Sequence, residues 1–67
     1  MKIVERRIVE QFWYETEYSK TGWDSYNWEF KDTGGNPKVQ GWTVVEHLKY
    51  DKFGNPILGI AEKETVL

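Results

Sequence analysis

Ser25-Tyr26-Asn27-Trp28-Glu29-Phe30-Lys31 alternates without a break, with Tyr26, Trp28 and Phe30 in one phase and Asn27, Glu29 and Lys31 in the other. That is the period of a pleated strand with one apolar face. Its large residues are aromatic, a type that packs well on such a surface. The stretch therefore reads as a β-strand over 25–31, and the rest of the chain can be placed relative to it.

Downstream, residues 38–50 read as a second strand. Trp42, Val44, Leu48 and Tyr50 share a face interrupted by Glu46, and Thr43, Val45, His47 and Lys49 share the other. Residues 56–62 read as a third, with Leu58 and Ile60 in phase. The tail 61–67 fits either a strand or a short helix. Three turn signals separate these segments: Ser19-Lys20-Thr21-Gly22, Asp32-Thr33-Gly34-Gly35-Asn36-Pro37 and Asp51-Lys52-Phe53-Gly54-Asn55-Pro56. Gly supplies positive φ, Asp and Asn bond their own backbone, and Pro opens an outgoing strand. Loops this short join neighbouring antiparallel strands. The expected fold is all-β: a four-stranded antiparallel up-and-down meander, as a curled sheet or partly open barrel, forming one domain over 1–67.

Upstream, the segment 2–18 does not fit one flat strand. Val4, Ile8, Phe12, Tyr14 and Tyr18 fall on even positions, and Ile3, Val9 and Trp13 on odd ones. Mixed phase points to a bulge or bend, which moves side chains to the other face. Length points the same way, since 16 or so residues at about 3.3 Å each span roughly 50 Å. A compact domain of this size has a radius of gyration of about 11 Å. The first strand must bend, split, or project towards a partner.

The chain has 67 residues, 11 of them aromatic, a net charge of −2 and no cysteine. There is no disulfide framework and no thiolate metal site. Residues 1–9 carry Lys2, Glu5, Arg6 and Arg7 and lack the apolar core of a signal peptide. No apolar run is long enough to span a membrane. A cytoplasmic location is the expectation, with no membrane partner. Interspersed charges of both signs do not make the basic footprint of a duplex-DNA binder.

No chemistry-bearing constellation stands out. His47, the single histidine, is mid-strand with no second histidine to share a metal. Ser19 and Ser25 flank a turn. Asp32-x-Gly34-x-Asn36 spaces oxygen ligands as a Ca²⁺ loop does, but it lacks the closing Glu and reads as an Asx-type turn. The pairs Glu15/Glu17 and Glu62/Glu64 read as solvated strand faces that repel further strands. The expectation is a protein with no catalytic residue, no metal and no cofactor.

A shift of 19 residues superposes Gly22-Trp23 on Gly41-Trp42, Asp32 on Asp51, and Gly35-Asn36-Pro37 on Gly54-Asn55-Pro56. Convergent turn chemistry explains this, and duplication of a strand-and-turn unit is the alternative. Residues 22–42 resemble a choline-binding, cell-wall-anchoring repeat, with Trp23, Trp28, Phe30 and Gly35 in the matching places. The second unit departs from that pattern at His47 and Lys49. Tyr50-Asp51-Lys52-Phe53-Gly54-Asn55 is similar to one YD-type repeat of large bacterial shell proteins. No functional residue is carried over from either.

The aromatic residues stand above background. Phe12, Trp13 and Tyr14 are consecutive, and consecutive strand residues point to opposite faces. They cannot all enter one core. Trp, Tyr and Arg are also enriched at interface hot spots. The candidate binding residues are Trp13, Tyr14, Tyr18, Trp23, Trp28 and Arg7. The expected function is a non-catalytic protein-binding module, self-associating or serving as an accessory or inhibitor. Two alternatives stand beside it. Single-stranded nucleic acid would use Tyr26, Trp28 and Phe30 with Lys31, Lys38 and Lys49. Glycan or cell-wall binding would use exposed rings.

Overall fold

A computed structural model describes residues 1–18, 20 and 22–67. The described residues form six strands: β1 (Lys2–Glu10), β2 (Trp13–Glu15), β3 (Trp23–Ser25), β4 (Glu29–Phe30), β5 (Thr43–Tyr50) and β6 (Pro56–Val66). They make a four-stranded sheet, β4-β1-β6-β5, and a two-stranded ribbon, β2-β3. Every pairing is antiparallel. None of the described residues forms a helix, so no helix is long and apolar enough to cross a membrane.

The bend expected in the first segment lies at Gln11-Phe12, between β1 and β2. Across from it, β3 and β4 are parted by Tyr26-Asn27-Trp28, so the expected continuous strand 25–31 is two short pieces. Glu10 pairs with Glu29, and the Tyr26 N–H donates to the Phe12 carbonyl. Gln11 alone therefore stands opposite Asn27 and Trp28. This extra residue is a bulge, and it spoils the one-face reading of the alternation. Phe30 is buried in the core, Trp28 is half-buried against it, and Tyr26 is exposed. The three rings do not form the single stacking face that the nucleic-acid alternative required.

The other segments shift at their ends. Residues 37–42 form a turn, with the Gln40 and Trp42 N–H groups both donating to the Pro37 carbonyl. The strand expected from residue 38 thus starts at Thr43. The tail is strand, not helix, because β1 pairs with it throughout, from Lys2↔Val66 to Glu10↔Leu58. Leu67 N–H donates to the Met1 carbonyl at 2.7 Å, closing the end of that ladder. The turn expected at 19–22 joins β2 to β3, although Ser19 and Thr21 lie outside the described residues.

The order β4-β1-β6-β5 corrects the expected meander, in which β1 would neighbour only the next strand. The last strand lies between β1 and β5 instead. Composition explains why β6 takes the centre. On one face it presents Gly59 and Ala61, small enough for the large rings of Phe30, Trp42 and Trp28 to lie close above. On the other face it presents Leu58 and Ile60. The turn at 32–37 does not form a hairpin, so β5 crosses to the far side of β6. The sheet stays open, with β4 and β5 as separate edges, and no barrel closes.

The core is small and one-sided. Val9, Phe30, Trp42 and Ala61 are buried, with Trp28 and Val44 packed against them. Phe30 and Trp42 meet edge to face at 5.3 Å, a favoured aromatic geometry. Arg7 closes one side, its guanidinium 3.8 Å from the Phe30 ring centroid. The molecule is elongated, 47 × 20 × 20 Å, with a radius of gyration of 13.7 Å. A compact chain of this length would have about 11 Å.

Candidate interaction surfaces

Two surfaces emerge from this packing. The first is the back of the four-stranded sheet. Val9 and Ala61 bury on the front, and neighbouring strand residues point oppositely. The back therefore carries Val4 and Ile8 of β1 and Leu58 and Ile60 of β6. Ile8 pairs directly with Ile60. On β5, Val44 packs on the core and His47 stacks on Trp28 at 5.6 Å. Their neighbours Val45 and Leu48 consequently point to the back. Register shifts beside both positions let β5 present apolar residues there twice within four. Val4, Ile8, Val45 and Leu48 are all exposed.

Most of the charge on this face is paired within the chain. Lys2 pairs with Glu64, Arg6 with Glu62 at 3.1 Å and Lys31 with Glu10 at 3.4 Å. Glu46 and Lys49 of β5, opposite Ile60 and Leu58 in the ladder, share the face as one charge of each sign outside those pairs. The aliphatic patch lies between these pairs. Glu62 and Glu64, expected to be free repelling carboxylates, are instead partnered across the β1–β6 ladder.

The second surface is the outer face of the ribbon. Tyr14 opposes Asp24, and the Phe12–Tyr26 hydrogen bond continues the ladder by one rung. Tyr14 and Tyr26 touch, ring centroids 5.2 Å apart, yet stay 40% and 62% exposed, with Phe12 beside them at 55%. The inner face docks on the main sheet. Trp13 Nε1–H donates to the Pro56 carbonyl at 2.7 Å, and Gln11 Nε2–H donates to the same oxygen at 3.3 Å. Trp23 lies against Phe53 of the β5–β6 turn at 4.4 Å.

The candidates named from sequence thus divide. Tyr14 lies on the outer ribbon face, and Tyr18 is almost fully exposed beyond it. Trp13 and Trp23 are half-buried and anchor the ribbon. Trp28 floors a cleft of about 410 Å³ with Trp42, Pro37 and Val44. Arg7 is engaged in the fold: its Nη2 donates to Asp32 Oδ1 at 2.8 Å and Thr33 Oγ1 at 3.0 Å while the group stacks on Phe30. That hydrogen bond holds the Asp32 carboxyl below the ordinary aspartate range. Phe12 and Tyr26 were not among the candidate binding residues, although Tyr26 stood in the nucleic-acid alternative and Phe12 in the run that could not all enter the core. The alternation of 12–14 contained the signal for Phe12, because the middle residue of the three turns inward. The residues of the aliphatic back face were not named either, because they looked like core.

The remaining polar features are structural. Asp51 Oδ1 accepts from the Phe53 and Asn55 N–H groups at 2.8 and 2.9 Å, forming the β5–β6 turn. Burial raises its pKa, but those hydrogen bonds outweigh it and leave the group below its usual value. Asn36 Oδ1 accepts from Lys38 N–H at 3.0 Å, the Asx turn expected there. His47 is exposed, with Nδ1 3.5 Å from the Tyr50 hydroxyl. Among the described residues, no three His, Asp or Glu side chains are grouped to hold a metal ion. No family model matches the chain, and neither a curated protein nor a solved structure is found to match it.

Proposed function

We propose that this chain is a non-catalytic interaction module that pairs with a second copy of itself through the back of its four-stranded sheet. The observation that carries this reading is the uncovered aliphatic patch of Val4, Ile8, Val45 and Leu48 on a face whose charges are mostly paired. An aliphatic sheet face is ordinarily buried against another layer, and none of the described residues forms a layer over this one. A second copy brings an identical neutral face and no unpaired block of like charge. β1 runs about 30 Å at 3.3 Å per residue, and the molecule is 20 Å across. The flat area is then about 600 Å², close to the roughly 800 Å² per partner of a standard interface. Two such faces pack about 10 Å apart with strands near −30°.

Sedimentation equilibrium tests this. The wild type should fit a dimer, and Ile8→Lys should be monomeric with an unchanged far-UV spectrum. Val39→Lys, on the exposed 37–41 turn, should dimerise as the wild type does. A wild type that stays monomeric at the highest soluble concentration defeats the proposal.

A further inference from the structure

We infer that the outer face of the β2–β3 ribbon is a second binding surface, which takes an extended peptide segment bearing Lys or Arg at alternate positions. The inference is independent of pairing through the back face, because the two surfaces share no residue.

Three observations converge. Tyr14 and Tyr26 remain exposed although their rings touch each other. Aromatic faces carry the negative end of the ring quadrupole and attract guanidinium and ammonium groups. Asp24 stands directly opposite Tyr14 in the ladder, so its carboxylate shares their face. Its carboxylate accepts a local hydrogen bond from the Ser25 N–H and pairs with no cation among the described residues.

Charge selects the same occupant. Residues 11–28 carry three carboxylates, Glu15, Glu17 and Asp24, against one lysine, Lys20, which accounts for the whole net charge of −2. The ion pairs among the described residues tie up carboxylates elsewhere in the chain, at Glu10, Asp32, Glu62 and Glu64. Those of the ribbon carry no such cation. The rest of the molecule is neutral, so a cationic partner is drawn to this end.

Geometry favours an extended chain over a compact cation. The surface is a shallow strip, with Phe12 and Tyr14 two residues apart on one strand and Asp24 and Tyr26 two apart on the other. Same-face side chains on any extended strand repeat at about 6.6 Å. A segment of the form basic-x-basic laid along the ribbon puts one cation over the tyrosine pair and the next beside Asp24.

Fluorescence anisotropy with a labelled peptide of alternating Arg and Thr tests this, with an alternating Glu-Thr peptide and a labelled oligo-dT as comparisons. The Ile8→Lys protein is used alongside the wild type, so that loss of pairing and loss of peptide binding are read separately. The Arg-Thr peptide should bind, more weakly as salt rises, and the other two should not. Tyr26→Ala should weaken it at least fivefold and Asp24→Asn about threefold, both with wild-type circular dichroism. Equal binding of both peptides, unchanged affinity in the two variants, or binding of oligo-dT in place of the Arg-Thr peptide overturns the inference.

Discussion

Gly59→Ala should be among the most damaging single-methyl changes this protein can receive. Gly59 lies in the middle of β6, facing His47 across the ladder and Val9 on the other side. A Cβ built there falls 2.6 Å from the backbone oxygen of Glu46, with Val44 Cγ1 at 3.4 Å and Trp28 Cη2 at 3.5 Å. A carbon–oxygen contact normally sits at about 3.3–3.6 Å, so the methyl and the carbonyl must part by about 0.7 Å or more. The carbonyl belongs to a strand already shifted in register between Val44 and Glu46. It cannot retreat without opening the β5–β6 ladder. Overpacking of this kind costs about 1–3 kcal/mol. Ordinary backbone at Gly59 lets alanine return about 0.4–1 kcal/mol by restricting the unfolded chain. The net loss is about 1–2 kcal/mol, against a total stability of about 3–10 kcal/mol for a chain this size. At about 4–8 °C per kcal/mol in a small domain, Tm should fall by about 5–15 °C. Thermal melts by far-UV circular dichroism at fixed protein concentration measure it. A Gly59→Ala protein as stable as the wild type would refute the close approach of β5 to β6 and the placement of small residues that puts β6 at the centre.

Two further outcomes follow from the contacts around Arg7 and Trp13. The folded-state pKa of Asp32 is depressed, so its pairing with Arg7 contributes stability above the unfolded aspartate value of about 3.9 and loses it as pH falls through the folded value. Arg7→Gln should destabilise the protein at neutral pH, by about 1 kcal/mol from the lost stacking on Phe30 alone. The difference from wild type should narrow below about pH 4, as read from urea midpoints, and a difference constant with pH would refute the coupling. Trp13→Phe keeps a ring in place but removes the indole donor to Pro56. It should cost about 1 kcal/mol, and an unchanged Tm would show that the ribbon is not anchored there.

Much of the architecture was legible because it rests on local chemistry. The hairpin turn at 51–56 follows from Asp51, Gly54 and Pro56, and Gly54 takes φ 85° there. The bend in the first segment follows from the changing phase of apolar residues around Phe12. What was not legible is partner choice. The alternation at 25–31 is real in sequence, yet its two halves pair with different strands, Ser25 with Trp13 and Phe30 with Val9. Periodicity reports which way a side chain points along one strand and says nothing of a change of partner midway. The position of β6 was equally hidden, since any strand of its length can be an edge or a centre. Only Gly59 and Ala61, read beside the large aromatics they must accommodate, pointed inward. At the candidate surfaces, Tyr14 could be read from alternation. Trp13 and Trp23 could not be separated from it by residue type, because a large aromatic ring serves equally as an anchor and as a contact.

The ladder between β1 and β6, which joins Lys2 to Val66, also governs when this chain can fold. Both hydrogen-bonded neighbours of β1 lie later in the sequence, and one is the last strand. The β2–β3 and β5–β6 hairpins close short loops and can form early, but β1 must wait for nearly all of the 67 residues before it meets β6, the partner it pairs with along its whole length. Closing so large a loop carries an entropy cost before any contact offsets it, and topologies dominated by such contacts fold slowly. Until β6 arrives, β1 can pair only at Val9 and Glu10, with β4, and the rest of the strand keeps its aliphatic residues and both edges open, the state in which chains find wrong partners. The interval between making the first strand and the last is therefore when this protein is most exposed to aggregation.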